Sequence, residues 1–301
     1  MRTIASILFA GAAFALSAYD PAAAVHERPR FQYSSYADDT ALYTGAYREA
    51  ETQMAGQSKA GGIGSPATDQ DSRSGTITAG TISHHLLIRN LIAQYFIELA
   101  RNAHPGTIII IGPNHHARGH SPVAVSALRW RTPFGLVEPD TQTIRTISET
   151  GLACVDEEAF FNEHSIGALV PFIRRTFPGA RIVPIVFKKS ADRDACVKLG
   201  ATLSGLVEST LVLASLDFSH YRTSLEAGIE DAASLDIFLS LSLERVDKMF
   251  VDSRPAMLTL MSLCRNADMK RIQVVQHTNS GILSHRPRVP CTSYINSYIR
   301  R

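Results

Sequence analysis

The chain has 301 residues, of which 45% are hydrophobic and 19% charged, so it can bury a sizeable core and is not disordered throughout. Its formal net charge of +2 is small, and its Lys and Arg residues are scattered along the chain. This distribution argues against a nucleic-acid-binding surface and against an anionic-lipid-binding surface.

Residues 1–24 have the layout of a secretory signal peptide. Arg2 precedes an apolar run over residues 4–18, and the small residues Ala22 and Ala24 suit a cleavage site. The alternative is an uncleaved N-terminal anchor, although the run is shorter than the roughly 20 residues of a membrane-spanning helix. In both cases we expect an extracytoplasmic protein, secreted, periplasmic or anchored, that contacts a membrane only through this segment.

Residues 25–75 are predicted to form a partly disordered N-terminal segment and linker. From about residue 55 to 80 small and polar residues dominate, without an apolar period. A weak helical pattern at Tyr43, Tyr47 and Ala50 precedes this stretch. The folded domain is expected to span residues 76–301.

Beyond residue 76, short apolar runs alternate with helical patterns, which is typical of an α/β domain with a mostly parallel or mixed sheet. Six strands are predicted at 107–112, 122–126, 181–187, 210–216, 271–277 and 292–298. Helices are predicted at 85–102, 141–150, 165–176, 194–208, 227–243 and 255–267. Strands separated by helices in this way predict a three-layer α/β/α architecture.

Histidines collect where these apolar runs end, and ligands of open α/β sheets bind beyond the carboxyl ends of the strands. Segments 76–83, 107–112 and 210–216 run into His84 and His85, into His115 and His116, and into Asp217 and His220, respectively. A single histidine at a strand end is usually structural. Three such ends are expected to converge on one crevice and to form a shared site.

A fourth polar group, Glu163 and His164, lies at a predicted helix start. Neutral imidazole is the commonest protein ligand of divalent transition metals, and imidazole mixed with carboxylate suits Fe(II), Zn or Mn. The remaining histidines and acids can orient ligands or carry protons. The pattern therefore predicts a divalent metal site with accessory acid and base groups.

Each group also has a structural explanation. The first histidine pair can be an exposed helix N-terminus, and the second can hydrogen-bond the backbone of its loop. Asp217 can pair with His220 to hold a loop together, and Glu163 with His164 can cap a helix. We favour ligation by His115 and by one histidine of the first pair.

Four cysteines, Cys154, Cys196, Cys264 and Cys291, show no CxxC spacing. In an oxidising compartment they can pair in three ways, and buried free thiols are equally compatible with the sequence. They are assigned no chemistry.

Seven short motifs occur in order over roughly residues 76–298. They are ISHH (82–85), GPNHH (112–116), RTPFG (131–135), NEHSI (162–166), IVPI (182–185), SLDFSHY (215–221) and NSG (279–281). In these motifs and their order the sequence resembles the MEMO family, also called AmmeMemoRadiSam system protein B. The resemblance implies a fold similar to that of class III extradiol ring-cleaving dioxygenases, in which two histidines and an acidic residue hold non-haem iron.

In the MEMO family the metal ligands are one histidine from each of the first two motifs and a late cysteine. The histidines carry over to His84 and His115, but segment 250–255, FVDSRP, contains no cysteine. Alignment on Pro255 places Val251 at the cysteine position, and a one-residue slip places Asp252 there. Asp252 would complete a 2-His-1-carboxylate set, the arrangement typical of Fe(II) oxygen chemistry.

If Val251 replaces the cysteine instead, then Glu163, Asp217 or His220 must substitute as the third ligand, or the site binds metal weakly. The metal expected is Fe(II), with Cu or Zn as alternatives.

Three functions follow from these residues. The first is a metal-dependent, dioxygenase-like oxidoreductase acting on an unknown small substrate, with His164, His220, Asp217 and Glu163 as catalytic residues. The second is a non-catalytic accessory protein that binds a small or peptide ligand, an interpretation that the missing cysteine favours. The third is a metal-assisted hydrolase in which Asp217 and His220 supply the base.

The resemblance further implies a radical SAM protein and an AMMECR-type protein as partners. An exported chain does not easily meet cytoplasmic partners, so the two expectations conflict. No nucleic-acid partner is expected.

Overall fold

A computed structural model describes residues 39–59 and 75–301. The predicted signal peptide and most of the predicted linker lie outside these described residues. The weak helical pattern corresponds to helix α1 (Thr40–Lys59), in which Tyr43, Tyr47 and Ala50 are buried. Both tyrosine rings pack against Phe172, which joins this helix to the core. None of the helices in these ranges has the length and apolarity needed to span a bilayer.

The described strands form one nine-stranded mixed sheet and one small hairpin. They are β1 (Ile77–Ile82), β2 (Thr107–Pro113), β3 (Val123–Val125), β4 (Trp130–Thr132), β5 (Gly135–Val137), β6 (Cys154–Val155), β7 (Arg181–Phe187), β8 (Thr210–Ser215), β9 (His220–Arg222), β10 (Arg271–Asn279) and β11 (Cys291–Arg300). The sheet order is β10-β11-β1-β8-β2-β7-β3-β6, with β9 paired to β11, while β4 and β5 form the hairpin.

Helices cover both faces of this sheet. After α1 they are α2 (Arg89–Asn102), α3 (Thr141–Glu149), α4 (His164–Gly167), α5 (Val170–Thr176), α6 (Arg193–Ser204), α7 (Ser224–Leu239), α8 (Arg254–Asn266) and α9 (Ser280–Leu283). Short 3-10 turns lie at Leu86–Ile88, Glu157–Phe160 and Leu243–Lys248.

The centre of the sheet is parallel and buried on both faces, as expected for strands that are apolar at every position. In β2, Ile108 and Ile110 point into the core under α1, α2 and α5, whereas Ile109 and Ile111 point into the core under α6 and α8. Two cores separated by one sheet make three layers. The predicted α/β/α fold class is therefore confirmed.

The six predicted strands all occur, with ends within about two residues of the predicted ones. The strands that were not predicted, β4, β5, β6 and β9, have two or three residues, too few to show a period. Segment 76–83 was treated as a strand end and contains β1 (ITAGTI), whose small and polar residues hide the strand pattern. The predicted helix 165–176 occurs as α4 and α5. Pro171 lies in the first turn of α5 and has no N–H to donate to the carbonyl of Gly167, where α4 ends, so the helix is interrupted and restarts there.

The four cysteines are free thiols in the structure, with Cys154 exposed and the other three buried.

Strands β1, β8 and β2 are neighbours in the sheet and run parallel, so their carboxyl ends lie at one edge. This order brings the loops that follow residues 82, 215 and 113 side by side. Gly112, near the end of β2, permits a further close approach, because a Cβ there would lie 3.1 Å from Ser165 Oγ and 3.2 Å from Ser215 O. The start of α4 therefore packs directly on this edge.

Candidate metal centre

Three imidazoles meet at this edge. His84 follows β1, His115 follows β2, and His164 is the first residue of α4. The ring centroids are 5.3 Å apart for His84 and His115, 5.2 Å for His84 and His164, and 4.0 Å for His115 and His164. One ring nitrogen of each histidine lies within 4.8 Å of the corresponding nitrogens of the other two. This group of three histidines can hold a divalent metal ion.

The hydrogen bonds of His84 determine its tautomer. Its Nδ1 lies 3.0 Å from Ser215 Oγ, and that hydroxyl donates its own hydrogen to Ser165 O. Because the hydroxyl proton is used, Nδ1–H of His84 must be the donor to Ser215. Nε2 of His84 therefore carries a free lone pair, and the ring is buried at 3% exposure. An unprotonated, fixed Nε2 is the form in which histidine binds a metal.

Glu163 likewise fixes the orientation of the His115 ring. Its carboxylate accepts hydrogen bonds from His115 Nδ1 and from the His115 backbone N–H, both at 2.7 Å, and from Ser165 N at 2.9 Å as the cap of α4. A carboxylate that holds one ring nitrogen of a histidine leaves the other nitrogen free for a metal. The side chain of Glu163 is fully buried, so this orientation is fixed.

Two further carboxylates face the imidazoles. Oδ2 of Asp252 lies 3.5 Å from His84 Nε2 and 3.9 Å from His115 Nε2, and Oδ2 of Asp217 lies 3.6 Å from His84 Nε2. The two loops are tied together, because Asp217 N donates to Asp252 Oδ2 at 3.1 Å and Asp252 N donates to Asp217 O at 3.0 Å.

The other oxygen of each carboxylate, Oδ1 of Asp217 and of Asp252, is buried and accepts no hydrogen bond of good geometry from the described residues. Buried carboxylate oxygens without such partners are costly. Together with the free lone pairs of two imidazoles they form a donor set that fits a divalent cation.

Burial shifts the protonation of these groups toward their neutral forms. It raises the pKa of Asp217 to about 7, and burial together with the charge of Asp217 raises the pKa of Asp252 well above its ordinary value. Burial and then the neighbouring imidazoles lower the pKa of His84 well below its ordinary value and that of His164 to about 4. Burial alone would raise the pKa of Glu163, but the hydrogen bonds and charge of His115 outweigh it and lower the pKa.

The centre opens into a cleft of about 490 Å³. His115, Asp252 and His220 line the cleft, together with apolar side chains that include Phe187, Tyr221 and Val251. Burial lowers the pKa of His220, which lies on β9. A volume of this size accommodates a small organic molecule beside the candidate metal position.

The structure thus brings six predicted site residues into one cluster, namely His84, His115, His164, Glu163, Asp217 and Asp252. The seventh, His220, lies in the cleft wall. The second member of each histidine pair lies elsewhere: His85 hydrogen-bonds Tyr294 through its Nδ1, and His116 is exposed. Val251 also lines the cleft, but Asp252 contributes the carboxylate that faces the imidazoles.

Sequence reasoning missed Ser215, whose hydroxyl fixes the His84 tautomer, although it opens the SLDFSHY motif. It also missed Lys189 and Arg254, two cations that line the cleft. No local pattern identifies either group, because their position depends on how separate segments meet.

The fold and the cluster define an α/β protein with a candidate histidine-rich metal centre at the carboxyl edge of its sheet. A family model described as "Memo-like protein" matches residues 85–289, so the chain belongs to that family.

Relatives and one solved structure agree with this assignment. A MEMO1 family protein of Caldivirga maquilingensis is 30% identical over 200 residues, 63% of this chain and 71% of the relative. One of Nitrosopumilus maritimus is 25% identical over 214 residues, 67% of this chain and 78% of the relative. The crystal structure of the uncharacterized protein JW3007 from Escherichia coli K12 superimposes with a TM-score of 0.52 at 15% identity, covering 73% of this chain and 98% of that one. At this identity the match shows the fold alone.

Replacement of Glu163 by Gln is expected to weaken metal binding about 10- to 100-fold, as loss of a ligand-orienting carboxylate typically does. Three N–H groups donate to Glu163, whereas an amide offers one acceptor oxygen and an NH₂ group that faces donors. This buried NH₂ group facing N–H donors should also lower the free energy of unfolding by roughly 1–3 kcal/mol.

A metal titration against a competing chelator measures the first effect, and a thermal melt measures the second. E158Q makes the same change at an exposed position and should alter neither; equal metal affinity in E163Q and the parent would contradict the assigned role.

Asp217→Asn is expected to stabilise the chelator-treated protein, increasingly as the pH rises. Because the folded-state pKa of Asp217 lies above its ordinary 3.8, the stability associated with its proton is lost as the pH rises through about 7. The neutral amide avoids this loss, so the variant should gain roughly 1–4 kcal/mol at pH 8 and little near pH 4. Thermal melts between pH 5 and 8.5 measure the difference.

The matched control is D194N, at an exposed aspartate, whose effect should not change over this pH range. Added divalent metal should narrow the difference, because the negative charge of Asp217 beside His84 favours a bound cation in the parent. A constant difference between parent and D217N at all pH values would contradict the buried-carboxylate account.

Proposed function

We propose that this Memo-like protein is a metal-dependent oxidoreductase that acts on a small organic substrate in the cleft. The observation that carries the proposal is the free Nε2 lone pair of His84 and of His115, each fixed by a hydrogen bond on the opposite ring nitrogen. Both nitrogens lie within 4 Å of the carboxylate of Asp252, which lines the cleft together with His115.

Asp252 is the third ligand in this proposal. Its Oδ2 lies within 4 Å of both imidazole nitrogens, whereas Asp217 has a comparable approach only to His84. Asp252 also lines the cleft, whereas Asp217 is not among the lining residues. A metal held by His84, His115 and Asp252 would therefore face the space where a substrate binds. His164 is the alternative third ligand, since its ring completes the group of three histidines.

The metal proposed is Fe(II), because two imidazoles and one carboxylate with open positions are the usual ligand set of non-haem iron oxygenases. When bound, such an ion supplies a redox-active Lewis acid. Within residues 39–59 and 75–301, the group of side chains that can hold a metal consists of histidines and contains no cysteine, which agrees with a ligand set of nitrogen and oxygen atoms.

His164 and His220 are proposed to move protons. The pKa of each lies below its ordinary value, chiefly because of burial, so both imidazoles are neutral at pH 7 and can accept a proton. His220 lines the cleft and can reach a substrate there, and His164 stacks on His115 at 4.0 Å. Glu163 positions His115, and Asp217 holds the Asp252 loop through its backbone and contributes negative charge beside His84.

Export from the cytoplasm stays part of the proposal, and it rests on residues 1–24 alone. Partnership with radical SAM and AMMECR-type proteins rests on the family resemblance alone.

The test is metal analysis of anaerobically purified protein, followed by oxygen-uptake measurements on the Fe(II)-loaded form with a panel of dihydroxyphenyl compounds. We expect about one divalent ion per chain in the parent, little in H84A and H115A, and an affinity lowered at least about tenfold in D252N. The exposed His104 provides the control H104A, which should keep its metal. Substrate-dependent oxygen uptake should follow the metal content.

Four results would overturn parts of this proposal. Metal retained in both H84A and H115A contradicts the ligand set. Larger metal loss in H164A than in D252N assigns the third ligand to His164. Metal-dependent turnover without oxygen uptake favours metal-assisted hydrolysis, and ligand binding without turnover favours an accessory protein.

A further inference from the structure

The cleft beside the histidine cluster carries an excess of positive charge toward solvent. Lys189 and Arg254 line it, and the carboxylate in its wall, Asp252, is nearly buried and faces the imidazoles. In the part of the chain that the structure describes, neither cation takes part in an ion pair. Both residues are exposed, so their charges are available to a ligand in the cleft.

The two cations are supplied by different parts of the fold. Lys189 follows β7, the strand next to β2, and therefore lies at the same carboxyl edge as the histidines. Arg254 is the first residue of α8, and its Nε donates to Met249 O at 3.0 Å, which holds the base of the guanidinium. Its other N–H groups donate to none of the described residues. Lys189 also lies close to His220. Burial is the main cause of the lowered pKa of His220, and the charge of Lys189 makes a smaller contribution in the same direction.

The lining of the cleft also includes apolar side chains. Phe187, Val251 and Pro255 line it, and Tyr221 stands at its rim with 82% of its surface exposed. Tyr221 has a φ of +60°, a conformation that non-glycine residues rarely adopt, and the pairing of β9 with β11 holds it there. Strained residues of this kind concentrate at ligand sites.

We propose that Lys189 and Arg254 bind the anionic group of a small organic ligand whose apolar body lies against Phe187 and Tyr221. The ligand class is thus a compound with a carboxylate or phosphate at one end and a flat apolar part. Guanidinium pairs well with either oxyanion, and the lysine adds a point charge. This inference deepens the proposed function, on which it rests, because it names the substrate class of the same cleft.

The experiment compares three probes that share a phenyl ring, namely benzoate, phenyl phosphate and benzyl alcohol. Binding to the full-length, as-purified protein is followed by ligand-observed NMR titration, and the metal content of each sample is measured. We expect at least one anionic probe to bind about tenfold more tightly than benzyl alcohol, and the preferred anion identifies the ligand as a carboxylate or a phosphate. The preference should shrink as ionic strength rises, because the cations are exposed.

Variants separate the cations from the metal. K189Q and R254Q should each weaken binding of the preferred anion by about two- to fivefold, with R254K between R254Q and the parent. Benzyl alcohol binding and metal content should stay unchanged in all three. K198Q removes the same charge at an exposed position outside the cleft and should bind like the parent.

Equal binding of all three probes, no detectable binding of either anion, or parent-like anion binding in both K189Q and R254Q would overturn this inference. If the protein still contains metal when one of these results is obtained, the proposed metal centre is not contradicted. If the protein contains no metal but still prefers an anionic probe, and if K189Q and R254Q reduce that preference, the anion site exists and the proposed metal chemistry is contradicted.

Discussion

The candidate site depends on one constraint, the adjacency of three parallel strands that end at the same edge of the sheet. Because β1, β8 and β2 are neighbours, His84, Asp217 and His115 emerge side by side although up to 133 residues separate them in sequence. Gly112 lets the start of α4 approach this edge, which adds Glu163 and His164. The apolar interior of the sheet thus determines where the polar groups lie, and short hydrogen bonds then orient their rings.

Electrostatics explain why this arrangement favours a bound cation. His84 and the carboxylates of Asp217 and Asp252 are buried, whereas His164 is half-buried and His115 is exposed. Burial shifts the pKa values of both aspartates upward and those of His84 and His164 downward. Among the described residues, nothing donates a hydrogen bond of good geometry to Oδ1 of Asp217 or of Asp252. Buried polar groups without partners lower the free energy of unfolding. Proteins commonly accept such a loss of stability at a functional site. In both His84 and His115, Nδ1 is hydrogen-bonded, to Ser215 and to Glu163 respectively, which leaves Nε2 as the nitrogen that a metal would use.

Much of the fold was predictable because its signals are local. β7 was predicted to the residue and β2 to within one, since continuous apolar runs mark strands buried on both faces. The gathering of His84, His115 and Asp217 was predictable from strand ends alone. The contact of Glu163 with His115 spans 48 residues, and that of Ser215 with His84 spans 131, so no sequence period reports them. The cations Lys189 and Arg254 were missed for the same reason. That the side chain of Asp252 faces the imidazoles depends on the pairing of its loop with the Asp217 loop, which the sequence does not show.

The central claim is that His84 and His115 share one cation in a centre without sulfur. X-ray absorption spectroscopy of the metal-loaded protein, recorded at the edge of the bound metal, tests it most directly. The account predicts a shell of nitrogen and oxygen atoms only, at about 2.0–2.2 Å, with the outer-shell pattern of at least two imidazoles. A sulfur scatterer near about 2.3 Å, or a spectrum with fewer than two imidazoles, would contradict it.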